Sequence, residues 1–403
     1  MLPAQRIHFQ TIEYGTRRSG HRGVKMRTAG MNMIQVKKQN RSSVLNCINQ
    51  RGPVSRKDIA QITGLTPAAV TLICTELMQQ GLLQELGFDT FSTGAGRKKV
   101  LLKINYNCYY IITVNIEFSD TFLSISNMKG ECLEQRVVPT DRDAEPETFL
   151  AHVARLCLEM KAHFPELTEK LAGVSVAVPG VIDREKGFSV HAYGVWNRQV
   201  AVCEVIKREL GLPVWIENNV NAFAMAELLY GYGRDYDNLL IIKWGPGVGS
   251  AIIIDSKLYE GRHGKAAELG HFIVERDGEL CSCGRRGCLE TKVSYRALAR
   301  TVPFAAKEFG QAYRRAEAEG NGEIFGAAID LFARTIVNSM TILAPNRVVL
   351  FGSLFHDRII RERLIEACEK YDSRYNAGRI LYSTLADREK IIGPVAAFVR
   401  SVL

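Results

Sequence analysis

In the run GHFIVERDGELCSCGRRGCLE, residues 270–290, three of the chain's ten cysteines fall within eight residues and an imidazole lies ten residues upstream. His271, Cys281, Cys283 and Cys288 together make a full tetrahedral ligand set for Zn²⁺, because thiolate and imidazole suit this ion. A closed set leaves no position for bound water, so the expectation is one structural ion per chain that pins its loop. The Cys281–Cys283 spacing is tighter than the usual CxxC, and Gly284 and Gly287 let the backbone turn between the thiolates. The competing reading is three reduced core cysteines beside a satisfied histidine, a pattern that rarely takes the form CxCxxxxC.

The 403 residues allow two or three domains. No apolar run is long enough to cross a bilayer, and the N-terminus lacks a secretory apolar stretch, so no membrane insertion is expected. The other seven cysteines are scattered through apolar patterns, which points to a reducing cytoplasm without disulfides. Charge is uneven: residues 1–104 hold sixteen Lys and Arg against five Asp and Glu, within a chain total of +9. A basic N-terminal module on a near-neutral body is the footprint of nucleic-acid binding.

Residues 1–35 have no helical or strand period and read as a disordered basic arm. From Asn40 the pattern is regular, with Val44, Leu45 and Ile48 on one helical face before Arg51-Gly52-Pro53 breaks it. Ser55-Arg56-Lys57-Asp58 is a capping signal for a short helix, Gly64 makes a turn, and Thr66-Pro67 opens a second helix with Val70, Ile73 and Leu77 inward. Two short helices joined by a glycine turn form a helix-turn-helix whose second helix enters the major groove. Gly81–Glu85 and Val100–Ile104 read as strands flanking a glycine-containing wing. The expected contacts to double-stranded DNA are Ser55, Arg56, Thr66, Pro67, Ala68, Ala69 and Thr71 on the helices, with Arg97 and Lys98 on the wing. The second helix is poor in bidentate donors, so methyl contacts and DNA shape should carry its base readout.

After Asn105, apolar strand-like runs alternate with helices, and a strand pair such as 110–116 with 121–125 recurs at 239–244 with 250–254. This predicts an α/β body of two related lobes with a cleft between them. Residues 303–320, rich in Ala, Arg and Glu, read as a solvated helical insertion.

The N-terminal pattern, AVPGVID at 177–183, ENNVNAFAMAE, GPGVG, AELGH and CSCGRRGCLE resemble the ROK family of repressors and sugar kinases over residues 38–403. The resemblance implies a winged helix-turn-helix (36–104) joined to a two-lobed actin-like, ribonuclease-H-like sugar kinase fold (105–403) that serves effector binding and dimerisation. It also implies that Asn218, Glu268, His271 and Glu290 face sugar hydroxyls, with Asn219 able to join them as donor and acceptor. Two departures stand out. Val114–Asp120 lacks the glycines of the family's phosphate loop and carries Glu117 and Phe118 instead. Asn219 stands where kinases carry the catalytic Asp, and an amide cannot take a proton at neutral pH. Kinase activity should therefore be lost and catalytic residues absent.

These readings predict a homodimeric, or dimer-of-dimers, repressor of carbohydrate genes that binds a two-fold operator and responds to a sugar or sugar phosphate. The alternatives are a sugar kinase with a DNA-binding extension, and a repressor controlled by docking to a sugar transporter component.

Overall fold

The computed structural model describes residues 33–88, 99–264 and 266–402. Residues 1–32 of the expected arm and the wing tip, including Arg97 and Lys98, lie outside them, whereas residues 33–35, expected in the arm, already belong to a helix.

Apolar spacing and caps shape the N-terminal module. Helix α1 (Met33–Arg51), strand β1 (Val54–Ser55), helices α2 (Arg56–Thr63) and α3 (Pro67–Gln79), and strands β2 (Leu83–Phe88) and β3 (Val100–Ile104) follow one another. Helix α1 begins ahead of Asn40, where its apolar period becomes regular. Ser55 caps α2 by accepting from the Asp58 amide, Gly64 ends that helix at φ 70°, and Thr66 caps α3 by accepting from the Ala69 amide. The three strands form a sheet in the order β1-β3-β2, antiparallel throughout.

Two five-stranded sheets form the body. In the first lobe, β4 (Tyr110–Ile116), β5 (Asp120–Asn127) and β6 (Cys132–Pro139) make an antiparallel meander. After α4 (Pro146–Ala162), β7 (Leu171–Val178) pairs parallel to β4. The hairpin β8 (Val181–Asp183) and β9 (Phe188–His191) and helix α5 (Val202–Leu210) precede β10 (Val214–Asn218), which lies parallel to β7. Helix α6 (Asn219–Tyr230) then leads to the second lobe, where β11 (Leu239–Trp244), β12 (Val248–Ile254) and β13 (Lys257–Tyr259) repeat the meander. Helices α7 (Glu290–Val293), α8 (Tyr295–Thr301), α9 (Phe309–Ala318) and α10 (Glu323–Leu343) lead to β14 (Arg347–Phe351). Helix α11 (Arg358–Tyr371) connects to β15 (Ile380–Tyr382), and helix α12 (Glu389–Val402) closes the chain. The sheet orders β10-β7-β4-β5-β6 and β13-β12-β11-β14-β15 are the same arrangement, three antiparallel strands followed by two parallel ones. The two-lobed α/β expectation is met.

Residues 303–320 are not a solvated insertion. Phe309, Ala312, Tyr313 and Ala316 are buried in the second lobe's core, on the i, i+3, i+4, i+7 face of α9. The abundant charge of the segment occupies only the opposite face. Phe309 packs edge-on to Trp244 and Phe325, with centroids 5.5 and 5.4 Å away. Phe309→Ala should destabilise the second lobe by about 3–5 kcal/mol. Denaturant unfolding measures this, and a loss below about 1 kcal/mol would contradict the packing.

Candidate ligand cleft and metal centre

Loops from both lobes meet in an open cleft lined by polar and glycine-rich segments. Asn218, Asn219, Glu268, His271 and Glu290 all line it. Their side chains are not equally free. Asn218 caps α6, accepting from the amides of Val220 and Asn221 and donating to the Gly180 carbonyl at 2.7 Å. Glu290 accepts from the Val248 amide at 2.9 Å and from Arg296 at 2.9 Å. A Cβ on Gly247 would lie 2.6 Å from that carboxylate, so the glycine of this turn is required for contact. Glu268 follows Ala267, a non-glycine residue at φ 59° whose carbonyl accepts from Ser250 Oγ. Such backbone is retained where surrounding structure holds it, here at the rim of the cleft.

The four metal-ligand candidates converge. His271 Nδ1 lies 3.5 Å from Cys281 Sγ, Cys283 Sγ lies 3.6 Å from Cys288 Sγ, and all four ligand atoms lie within 4.8 Å of one another. A tetrahedron with metal–sulfur bonds of about 2.3 Å and metal–nitrogen bonds of about 2.0–2.1 Å has edges of about 3.5–3.8 Å, so the donor set fits a metal ion such as zinc. The other imidazole nitrogen, Nε2, faces Glu268 Oε2 at 3.7 Å. One ring thus belongs to both the cysteine cluster and the cleft, and Tyr193 packs against its edge with centroids 4.9 Å apart. Burial pushes the Cys281 thiol up and the Cys288 thiol up to about 12, so an ion bound here displaces protons. Gly287 lets the loop close, because it sits at φ 71° and a Cβ there would overlap the Glu275 carbonyl.

Sequence reasoning placed Glu117 in the cleft but missed its partners. Its Oε1 accepts from Lys243 Nζ at 2.5 Å, lies 3.2 Å from Lys390 Nζ, and accepts from Asn219 Nδ2 at 3.1 Å. Burial opposes ionisation of Glu117, but the ammonium groups of Lys243 and Lys390 overcome it and hold the carboxyl down to about 2. Lys243 was the available signal: a lysine inside the apolar run LLIIKW predicts a buried charge with a partner. Asn115, in the same strand-end segment as Glu117, has a structural task. Pro394 within α12 cannot donate to the Lys390 carbonyl one turn earlier, and Asn115 Nδ2 donates to that oxygen instead, at 3.2 Å.

On the candidate DNA face, Thr66, Pro67, Ala68 and Thr71 are exposed and Ala69 is half-buried. Ser55 is turned inward, 3% exposed, because its hydroxyl serves the α2 cap and donates to Asp58 Oδ2. Arg56 is partly buried and pairs with Glu85 at 3.2 Å, so neither residue is presented as simply as the capping motif suggested. Thr71 and Thr75 bond their hydroxyls to carbonyls one turn back and are exposed, as is Leu72 at 60%. Leu72 was missed, although it lies off the Val70–Ile73–Leu77 stripe.

The N-terminal module is docked on the body. Asn49 donates to the Leu229 carbonyl at 2.6 Å near the end of α6, Tyr106 donates to Asn49 at 2.7 Å, and Arg234 donates to the Gln50 carbonyl at 2.6 Å. Val395, Phe398 and Val399 of α12 share one apolar cluster with Val44, Leu45 and Leu77.

A model of the ROK family matches residues 112–399. A xylose repressor of Caldicellulosiruptor bescii is 27% identical over 397 residues, covering 92% of this chain and 98% of that protein. Among solved structures, a ROK family transcriptional regulator, a homologue of the Escherichia coli Mlc protein, superposes with a TM-score of 0.72 at 22% identity, over 90% of this chain and 96% of its own. A ROK family glucokinase from Streptomyces griseus, solved with glucose and AMPPNP, reaches a TM-score of 0.57 at 24% identity, over 72% of this chain and 98% of its own.

Proposed function

The chain belongs to the ROK family, and from that premise we propose that it is a sugar-responsive transcriptional repressor without kinase activity. Residues 36–104 form the DNA-binding module and 105–403 the effector and dimerisation body. The observation that carries the reading is the cleft itself: it keeps polar groups suited to a sugar, while an amide, Asn219, stands where phosphoryl transfer needs a base.

Two copies present two α3 helices to a two-fold operator. Exposed side chains of α3, Leu72 among them, read thymine methyls and shape, and basic side chains bind phosphates. No described helix is long and apolar enough to cross a membrane. Coupling follows from α6, whose first turn lines the cleft and whose last turn accepts the Asn49 bond at Leu229, ten residues and roughly 15 Å beyond Asn219. Sugar binding that shifts the lobes tilts α6 and with it the angle between the two DNA heads.

Zinc at His271, Cys281, Cys283 and Cys288 acts as a structural ion. It supplies no chemistry and fixes the His271 ring, so that Nε2 stays presented to the cleft. Cys281→Ser and Cys288→Ser should each lose the bound zinc in metal analysis and lose sugar-induced stabilisation in thermal unfolding. Variants that keep both would refute this role.

Selection from random duplexes should return a two-fold symmetric site bound with Kd of about 10⁻⁸ M or tighter, and one sugar or sugar phosphate should change that affinity by at least about fivefold. A selection that enriches no sequence would overturn the repressor reading.

A further inference from the structure

We propose that Glu117 is a built-in anion filling the deep end of the cleft, so that the ligand taken there is an uncharged sugar and not a sugar phosphate or a nucleotide. The choice of ligand rests on the sugar-responsive reading above; the exclusion of phosphate rests on the cluster alone.

Three donors converge on one Glu117 oxygen: Lys243 of β11 at 2.5 Å, Asn219 of α6 at 3.1 Å and Lys390 of α12 at 3.2 Å. They come from three elements outside the β4–β5 hairpin that carries Glu117. Convergent ammonium and amide donors are also what a phosphate oxygen needs, and here a carboxylate, 7% exposed, already has them. An incoming phosphate would have to evict Glu117 and leave its charge buried without partners.

Among its described lining residues the cleft offers no uncommitted cation in substitute. Among the described lining residues, the Lys and Arg side chains are Lys243 and Arg296, and Arg296 is bonded to Glu290 at 2.9 Å. With Lys390, which reaches Glu117, three cations face three carboxylates, Glu117, Glu268 and Glu290. A phosphate dianion would enter a site whose Glu117 and Glu290 carboxylates already hold Lys243, Lys390 and Arg296, leaving no surplus of positive charge for it. Sugar hydroxyls meet no such obstacle, because each donates to a carboxylate oxygen in a charge-assisted bond. Phe118, with the guanidinium groups of Arg142 and Arg296 4.0 and 4.8 Å from its ring centroid, adds bulk beside Glu117 where a triphosphate chain would have to pass.

Calorimetric titration of the full chain tests this with neutral aldoses and N-acetylhexosamines, their phosphate esters, and inorganic pyrophosphate. The wild type should bind one neutral sugar, bind its ester at least ~10-fold more weakly, and ignore pyrophosphate. Glu117→Gln and Glu117→Ala should gain pyrophosphate binding by at least ~10-fold, and adding Lys243→Met should abolish the gain. Tighter binding of an ester than of its parent sugar by the wild type overturns the proposal, as does a folded Glu117 variant with no gain for pyrophosphate. If neither variant folds, the wild-type comparison of sugar and ester decides. If the wild type binds no sugar or ester, the sugar-responsive reading fails, while the pyrophosphate arm still decides the role of Glu117.

Discussion

Helix α12 is made from the last residues of the chain yet packs on the first lobe, and three parts of the molecule depend on it. Val395, Phe398 and Val399, at i, i+3 and i+4 spacing, join the apolar cluster of the DNA module. Ile392 and Ala396, on a neighbouring stripe, pack with Phe223 of α6 and Phe351 of the second lobe. Lys390, one turn earlier, reaches Glu117 in the cleft. One helix therefore contacts the DNA module, both lobes and the floor of the cleft. Full burial of each large apolar side chain contributes roughly 1.5–3 kcal/mol, so this closure is well secured despite the proline inside the helix. The proline is accommodated because Asn115 bonds the carbonyl it leaves free and Ser175 Oγ bonds the carbonyl of Pro394 itself.

The same economy appears at His271. Nδ1 faces the cysteines and Nε2 faces Glu268, so fixing one nitrogen orients the other. A cysteine cluster able to hold a metal and a cleft that share a ring cannot vary independently. Replacing a distant cysteine is then felt among the cleft's polar groups, without any of them being changed.

Much of this was legible in the residues. Ser55, Thr66-Pro67 and Gly64 marked the helices because caps and turns are local chemistry, and the cysteine spacing marked its loop for the same reason. What escaped was non-local or masked by composition. The Glu117–Lys390 contact joins a hairpin near the start of the body to its final helix, and nothing local pairs those residues. In residues 303–320, abundant Arg and Glu concealed a helical stripe of Phe309, Ala312, Tyr313 and Ala316, where spacing was the better guide than charge. Ser55 could be read as a cap or as a phosphate contact from its type alone, and only burial separates the two roles.

On the function proposed, α6 and α12 couple ligand binding in the cleft to DNA binding by the N-terminal module. Thermodynamic linkage makes such coupling reciprocal. The most direct measurement is the sugar dissociation constant with and without saturating operator, set beside the operator dissociation constant with and without saturating sugar. Reciprocal coupling gives the same factor in both, about 5–150-fold. A sugar affinity unchanged by bound operator would contradict it.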